Sequence, residues 1–104
     1  MNLLFVCTAG EQRSPTAAGI YNEMGYQTRF AGTHGIGEQA LTRKDLEWAD
    51  KIIVMEDMHR DFISRNFPRQ HARADLTVLG IPDIYLRNDP ELISEIEAKM
   101  PEMI

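Results

Sequence analysis

Cysteine occurs once in these 104 residues, at Cys7. A single thiol excludes an intrachain disulfide framework and a cysteine-rich metal site, and it points to a reducing compartment. Basic residues are in the minority: eleven Lys and Arg stand against sixteen Asp and Glu, for a formal charge of -5. With no basic stripe to override that average, nucleic acid and anionic membrane are not expected partners. Long apolar runs are also missing. The opening segment Met1 to Cys7 lacks a positive n-region and is too short for a signal peptide or a membrane span, so a cytoplasmic globular protein is the expectation. No repeat, linker or low-complexity tract divides the chain. Its length predicts a single domain over 1–104, burying about 65% of the surface its unfolded chain exposes.

What is present alternates between two periodicities. Leu3-Leu4-Phe5-Val6 is continuously apolar and is followed by a Cys-Thr-Ala-Gly turn, the pattern of a strand covered on both faces. Ser14 is expected to cap a helix with Pro15 at its first position, Ala17, Ile20, Tyr21 and Met24 on one face, and Gly25 as its stop. Tyr26 to Ala31 reads as a second strand, and the segment punctuated by Gly32, Gly35 and Gly37 as a loop. A helix capped by Thr42 is predicted over Leu41 to Ala49, then a strand over Lys51 to Met55. Asp57 is expected to cap the next helix, with Met58, Phe62 and Ile63 to one side and Pro68 as its end. Leu76 to Leu79 reads as a strand. Asp89 and Pro90 open a last helix with Leu92, Ile93, Ile96 and Met100 along one stripe, before a frayed end at Pro101 to Ile104. This order predicts a small three-layer α/β fold with about four parallel strands and helices on both faces.

The chemistry concentrates in Cys7-Thr8-Ala9-Gly10-Glu11-Gln12-Arg13-Ser14-Pro15, between the first strand and the first helix. Open α/β folds bind ligands at this edge of the sheet. A loop curling into a helix start turns several unpaired amides toward one point, where the helix dipole adds positive potential. Thr8, Ala9, Gly10, Glu11, Gln12, Arg13 and Ser14 are therefore the expected phosphate-binding residues. The same amides favour a thiolate at Cys7, Arg13 offers a planar two-donor fork, and Ser14 can give the sulfur a hydroxyl hydrogen bond. A lone cysteine ending a buried strand is ordinarily an inert small hydrophobe; the arginine six positions on, the turn glycine and the Ser-Pro helix start argue against that here.

Cys-x5-Arg-Ser-Pro directly after an N-terminal apolar strand resembles the phosphate loop of the low-molecular-weight protein tyrosine phosphatases. Ala31-Gly32-Thr33, the run from Leu46 to His59, and Ile81-Pro82-Asp83-Ile84-Tyr85 are similar to further family segments, the last to the loop that holds the general acid. The resemblance implies metal-free hydrolysis of a phosphate monoester without a cofactor. Cys7 would attack phosphorus and Arg13 would stabilise the transition state, with Asp83 as proton donor. The substrate would be a phosphotyrosine protein or a small aromatic phosphate monoester. Asp83 competes with its ordinary reading as a turn residue, and Asp89 suits a helix cap better than an acid. Tyr85 either lines the pocket wall or only packs.

This sequence departs from the family pattern at several points. Ala9 and Gly10 stand where the family has Gly and Asn, so no Asn side chain braces the loop. Gln12 replaces a second cysteine, exposing Cys7 to overoxidation. Glu11 places a carboxylate near the rim, and Ile84 replaces a proline in the acid loop. The chain is short between Gly32 and Leu41, where a helix normally stands. Two other readings follow: a noncatalytic oxyanion- or phosphoprotein-binding module, and an arsenate reductase completed by an external thiol. His34, His59 and His71 lie on different elements without a paired ligand, so surface or capping roles are expected and no metal site is. Arg69, His71 and Arg73 read as a mildly basic solvated loop. Neither Gly-x-x-x-x-Gly-Lys nor Gly-x-Gly-x-x-Gly occurs, which removes the common nucleotide-binding loops.

Overall fold

The computed structural model describes residues 1–101 and shows four parallel strands in the order β2-β1-β3-β4. These are β1 (Asn2–Cys7), β2 (Gln27–Gly32), β3 (Lys51–Val54) and β4 (Leu76–Val78). The helices are α1 (Arg13–Glu23), α2 (Arg43–Trp48), α3 (Asp57–Asn66), α4 (Pro68–Arg73) and α5 (Pro90–Lys99), with a single 3₁₀ turn at Gly37–Gln39. The frayed end expected at Pro101 to Ile104 falls, beyond Pro101, outside the described residues.

Successive side chains of a strand point to opposite faces, and β1 supplies both cores. Leu3, Phe5 and Cys7 pack with Ala17, Ile53, Leu92 and Ile96 on the α1 and α5 side. Leu4 and Val6 pack with Leu46, Ile52 and Ile63 on the α2 and α3 side. The three-layer arrangement follows directly from that division. Because β1 is central and its neighbours β2 and β3 lie on opposite sides, the chain leaves β1 one way and β3 the other. The crevice between those two exits is where a doubly wound sheet opens to a ligand.

Local capping explains the well-placed ends. Thr42 accepts the Asp45 N–H at 3.2 Å while Asp45 accepts the Thr42 N–H at 3.1 Å, a reciprocal box at the head of α2. Asp89 accepts the Glu91 N–H at 2.8 Å with Pro90 opening α5, and Gly25 ends α1 at φ +100°.

Several expectations are corrected. Helix α1 begins at Arg13 with Gln12 in the cap position, so Ser14 is not its cap and Pro15 is not its first residue; the Ser14 hydroxyl is turned inward instead. Glu56 rather than Asp57 precedes α3, and Met58 and Met24 are exposed. The helix opened at Asp57 does stop ahead of Pro68, at Asn66, but Pro68 is not followed by a loop. Missing only an amide that a first turn leaves unpaired anyway, it starts α4, which carries the Arg69, His71 and Arg73 stretch expected as a loop.

Candidate active site

At the C-terminal end of β1 the chain turns sharply over the start of β2's exit, and two glycines make this possible. Gly10 has φ +71°, and a Cβ there would lie 2.9 Å from the Gly32 nitrogen. A Cβ on Gly32 would lie 2.5 Å from the Thr8 carbonyl oxygen and 2.6 Å from the Gly10 nitrogen. The loop therefore rests on bare backbone at Ala31-Gly32-Thr33. From the same side, the Thr33 N–H donates to the Cys7 carbonyl (2.9 Å) and the His34 N–H to the Thr8 carbonyl (2.8 Å). These bonds draw two carbonyls away from the concave side of the loop. They brace it where the family pattern would use an asparagine side chain.

The sulfur sits at the floor of the resulting hollow. Cys7 is almost wholly buried, packed with the apolar core on its face, yet its residue lines the cavity. Its Sγ lies 3.1 Å from Ser14 Oγ and receives the Gly10 N–H at 3.3 Å. Ser14 Oγ is also 3.4 Å from the Ala31 carbonyl. The hydroxyl can thus donate to a thiolate, or accept from a thiol while donating to Ala31. The first turn of α1 adds the amides that any helix start leaves without an intrahelical partner.

Arg13 is 1% exposed, and a buried guanidinium must be paired. Its Nη1 bonds the Glu56 carboxylate and the Ile81 carbonyl (2.8 Å), and its Nη2 donates to Thr8 Oγ1 at 3.3 Å. The expected fork toward a ligand is therefore only half free: the Nη1 end is tied to the protein. Nε alone lacks a hydrogen-bond partner and lies 3.7 Å from Asp83 Oδ1. A buried donor without a partner, on a side chain that lines the cavity, is suited to bind an anion there.

Asp83 stands on the opposite wall with its side chain 59% exposed. Tyr85 is half-buried against the α5 side of the core and also lines the hollow. Glu11 lines the rim and is exposed, as are Ile84 and Leu86. The cavity measures about 420 Å³. Gln12 also lines the hollow, and its Oε1 accepts the Arg87 N–H at 2.5 Å, while Thr16 Oγ1 accepts the Asn88 N–H at 2.9 Å. Two bonds thus tie the Asp83-bearing segment to the head of α1. Among the described residues no group of three His, Cys, Asp or Glu side chains is arranged to hold a metal ion. No described helix is long and apolar enough to cross a membrane.

No family model matches the sequence, and no curated protein does. Solved structures do. The chain is similar to the tyrosine phosphatase Wzb from Escherichia coli in complex with phosphate, at 20% identity and TM-score 0.77, covering 94% of this chain and 91% of that one. It is similar to a low molecular weight protein tyrosine phosphatase from T. tengcongensis at 20% identity and TM-score 0.74, with the same coverage. It is also similar to the YwlE arginine phosphatase from Geobacillus stearothermophilus at 23% identity and TM-score 0.69, covering 92% and 88%. The chain has the fold of the low-molecular-weight protein tyrosine phosphatases.

Within that phosphatase fold, two site residues were not anticipated. Glu56 pairs with Arg13 across 43 positions of sequence. His59, expected in a surface or capping role, does accept the Glu56 N–H through Nδ1 (3.0 Å) at the head of α3, but it is 1% exposed. With Nδ1 accepting, Nε2 carries the proton and donates to Thr8 Oγ1 at 2.9 Å. Burial and then the nearby Arg13 charge push the imidazole pKa down to about 4, so His59 is neutral near pH 7. Thr8 Oγ1, accepting from both His59 and Arg13, keeps its own proton free to donate. The signal for Glu56 and His59 was topological: both follow β3 at the edge where β1 delivers its loop.

Proposed function

We propose that this protein is a cysteine-dependent phosphomonoester hydrolase acting on phosphotyrosine, through a phosphocysteine intermediate. The observation that carries this reading is the shared hollow: Cys7, whose sulfur is hydrogen-bonded with Ser14 and Gly10, Arg13, whose Nε has no partner, and Asp83 all line it. The phosphatases named above supply the precedent. One similar structure is an arginine phosphatase mutant with a phosphorylated active-site serine, 21% identical with TM-score 0.69.

In the first step the Cys7 thiolate forms an S–P bond as the P–O bond to the leaving group breaks. Asp83, protonated, gives its proton to the departing oxygen. In the second step water attacks phosphorus, Asp83 takes the proton, and the S–P bond breaks to release phosphate and the thiolate. Charge on the equatorial oxygens is met by the loop amides, the α1 dipole and Arg13 Nε. The Ser14 hydroxyl donates to the sulfur as thiolate, stabilising it as attacker and as leaving group. Tyr85 gives an aromatic ester a wall to pack on. No metal or cofactor takes part in these steps. The single cysteine suits a reducing compartment such as the cytoplasm, and leaves arsenate reduction dependent on an external thiol.

Hydrolysis of p-nitrophenyl phosphate across about pH 5 to 8, by wild type, Cys7→Ser and Asp83→Asn, tests the reading. Turnover is expected in wild type, with competitive inhibition by vanadate and no effect of chelators, and is expected to vanish in Cys7→Ser. A protein in which phosphate protects Cys7 from alkylation, but which turns over no ester, is instead an oxyanion-binding module.

A further inference from the structure

The charges around the hollow do not favour a bare phosphate dianion. Arg13 is its one cationic side chain, and that guanidinium is already paired with Glu56. Glu11 and Asp83 also line the cavity, so beside Arg13 its lining carries two carboxyl groups and no second cation. Arg87 lies in the adjacent segment, but its guanidinium is 5.9 Å from the Phe30 ring centroid and lines a different depression. Asp83 sits close to Arg13, whereas Glu11 makes no ion pair or side-chain hydrogen bond among the described residues. Beside it the rim is apolar: Ile84 is 74% and Leu86 73% exposed. The anion itself still has a place, marked by the buried, unpartnered Arg13 Nε at the back of the hollow.

We infer that this rim selects a phosphorylated peptide segment in which lysine or arginine flanks the phosphoresidue and an apolar side chain lies on Ile84 and Leu86. The inference rests on the phosphatase reading of the same site. The loop amides and Arg13 hold the phosphoryl group; Glu11 holds the flanking cation. A basic neighbour offsets the repulsion that the rim exerts on a dianion, and an acidic neighbour adds to it. Because the pairing is at an exposed rim, it is screened by salt.

The test compares phosphotyrosine peptides identical except for flanking Lys or Glu, plus a pair differing by Leu or Ser at one flank. Affinity is read on Cys7→Ser protein, so the outcome does not depend on turnover. A preference of about five-fold or more for the Lys peptide is expected at low salt, from one exposed pair gained and one repulsion avoided. It should shrink at high salt, fall toward unity in the Cys7→Ser protein carrying Glu11→Gln, and reverse in the one carrying Glu11→Lys. The Leu preference should persist in both and fall when Ile84→Ser is introduced. Equal affinity for Lys and Glu peptides, a Lys preference that survives Glu11→Gln, or binding of neither peptide overturns the inference. A Lys preference in binding with no hydrolysis of any peptide by wild type keeps the rim reading and removes the phosphatase reading.

Discussion

The two walls of the hollow are built differently. The Cys7 wall is over-determined: glycine against glycine, two β2-side amides on its carbonyls, and a buried Arg13 held by Glu56, Ile81 and Thr8. The Asp83 wall is an exposed segment with no regular structure between Gly80 and Asp89, tied to α1 by the bonds from Arg87 and Asn88. The contrast matches the demands of the proposed chemistry. A nucleophile and an anion cradle gain from geometry fixed before substrate arrives. A proton donor has to reach leaving groups of different size, and the site has to open for release.

The largest expected effect comes from breaking the rigid wall without touching a reacting group. Gly32→Ala puts a methyl into the backbone of Ala9 and the Thr8 carbonyl. The loop must then move or the strand must, so turnover should be lost and Tm should fall by roughly 10 °C or more. An active, equally stable Gly32→Ala protein would show that the loop is not seated on β2. Next is the irregular wall: Asp83→Asn should lower kcat about 100-fold for alkyl or peptide esters and much less for p-nitrophenyl phosphate, whose leaving group needs little protonation. Its Tm should stay within about 2 °C of wild type, because the side chain is mostly exposed.

Both results bear on what could be read from residue order alone. Cys7, Arg13 and Ser14 were legible because they sit within eight positions of one another on a strand-turn-helix signal. Thr42 and Asp89 were legible as caps because a cap bonds residues two or three positions away. Glu56 and His59 were not, since their partners lie 43 and 51 positions off and nothing local marks a histidine as buried. Of the two readings of Ser14 only the cap fails: a hydroxyl before proline looks like a cap, but α1 starts one residue earlier and the hydroxyl meets the sulfur. At Pro68 the end of α3 was legible and the start of α4 was not, because a proline that closes one helix can also open another. The role of Gly32 needed the fold, as its neighbours come from the other end of a crossover.

Smaller effects sharpen the contrast. Gln12→Ala removes the acceptor for the Arg87 N–H; one lost hydrogen bond of about 1 kcal/mol corresponds to a fall of roughly five-fold in kcat if it positions Asp83. Hydrogen exchange should quicken at Arg87 while the Thr33 and His34 amides stay protected. The last effect is a pH limb from the rigid wall. His59 is held neutral by a pKa near 4 against about 6.5 in an unfolded chain, so between those values the unfolded state binds more protons. Stability from this group is therefore full above about pH 6.5 and declines as pH falls toward 4, with a slope of at most about 1.4 kcal/mol per pH unit. Urea unfolding of His59→Gln should show a flatter limb across that window, and the Gln amide, able to donate to Thr8, should retain more activity than His59→Ala.

The most direct measurement of the central claim is acid quench of wild-type protein within its first turnovers of p-nitrophenyl phosphate, followed by peptide mass analysis. The account requires a phosphoryl group on the peptide bearing Cys7, approaching one per chain and discharged by water on further incubation. Release of nitrophenolate with no phosphoryl group on that sulfur at any time would contradict it.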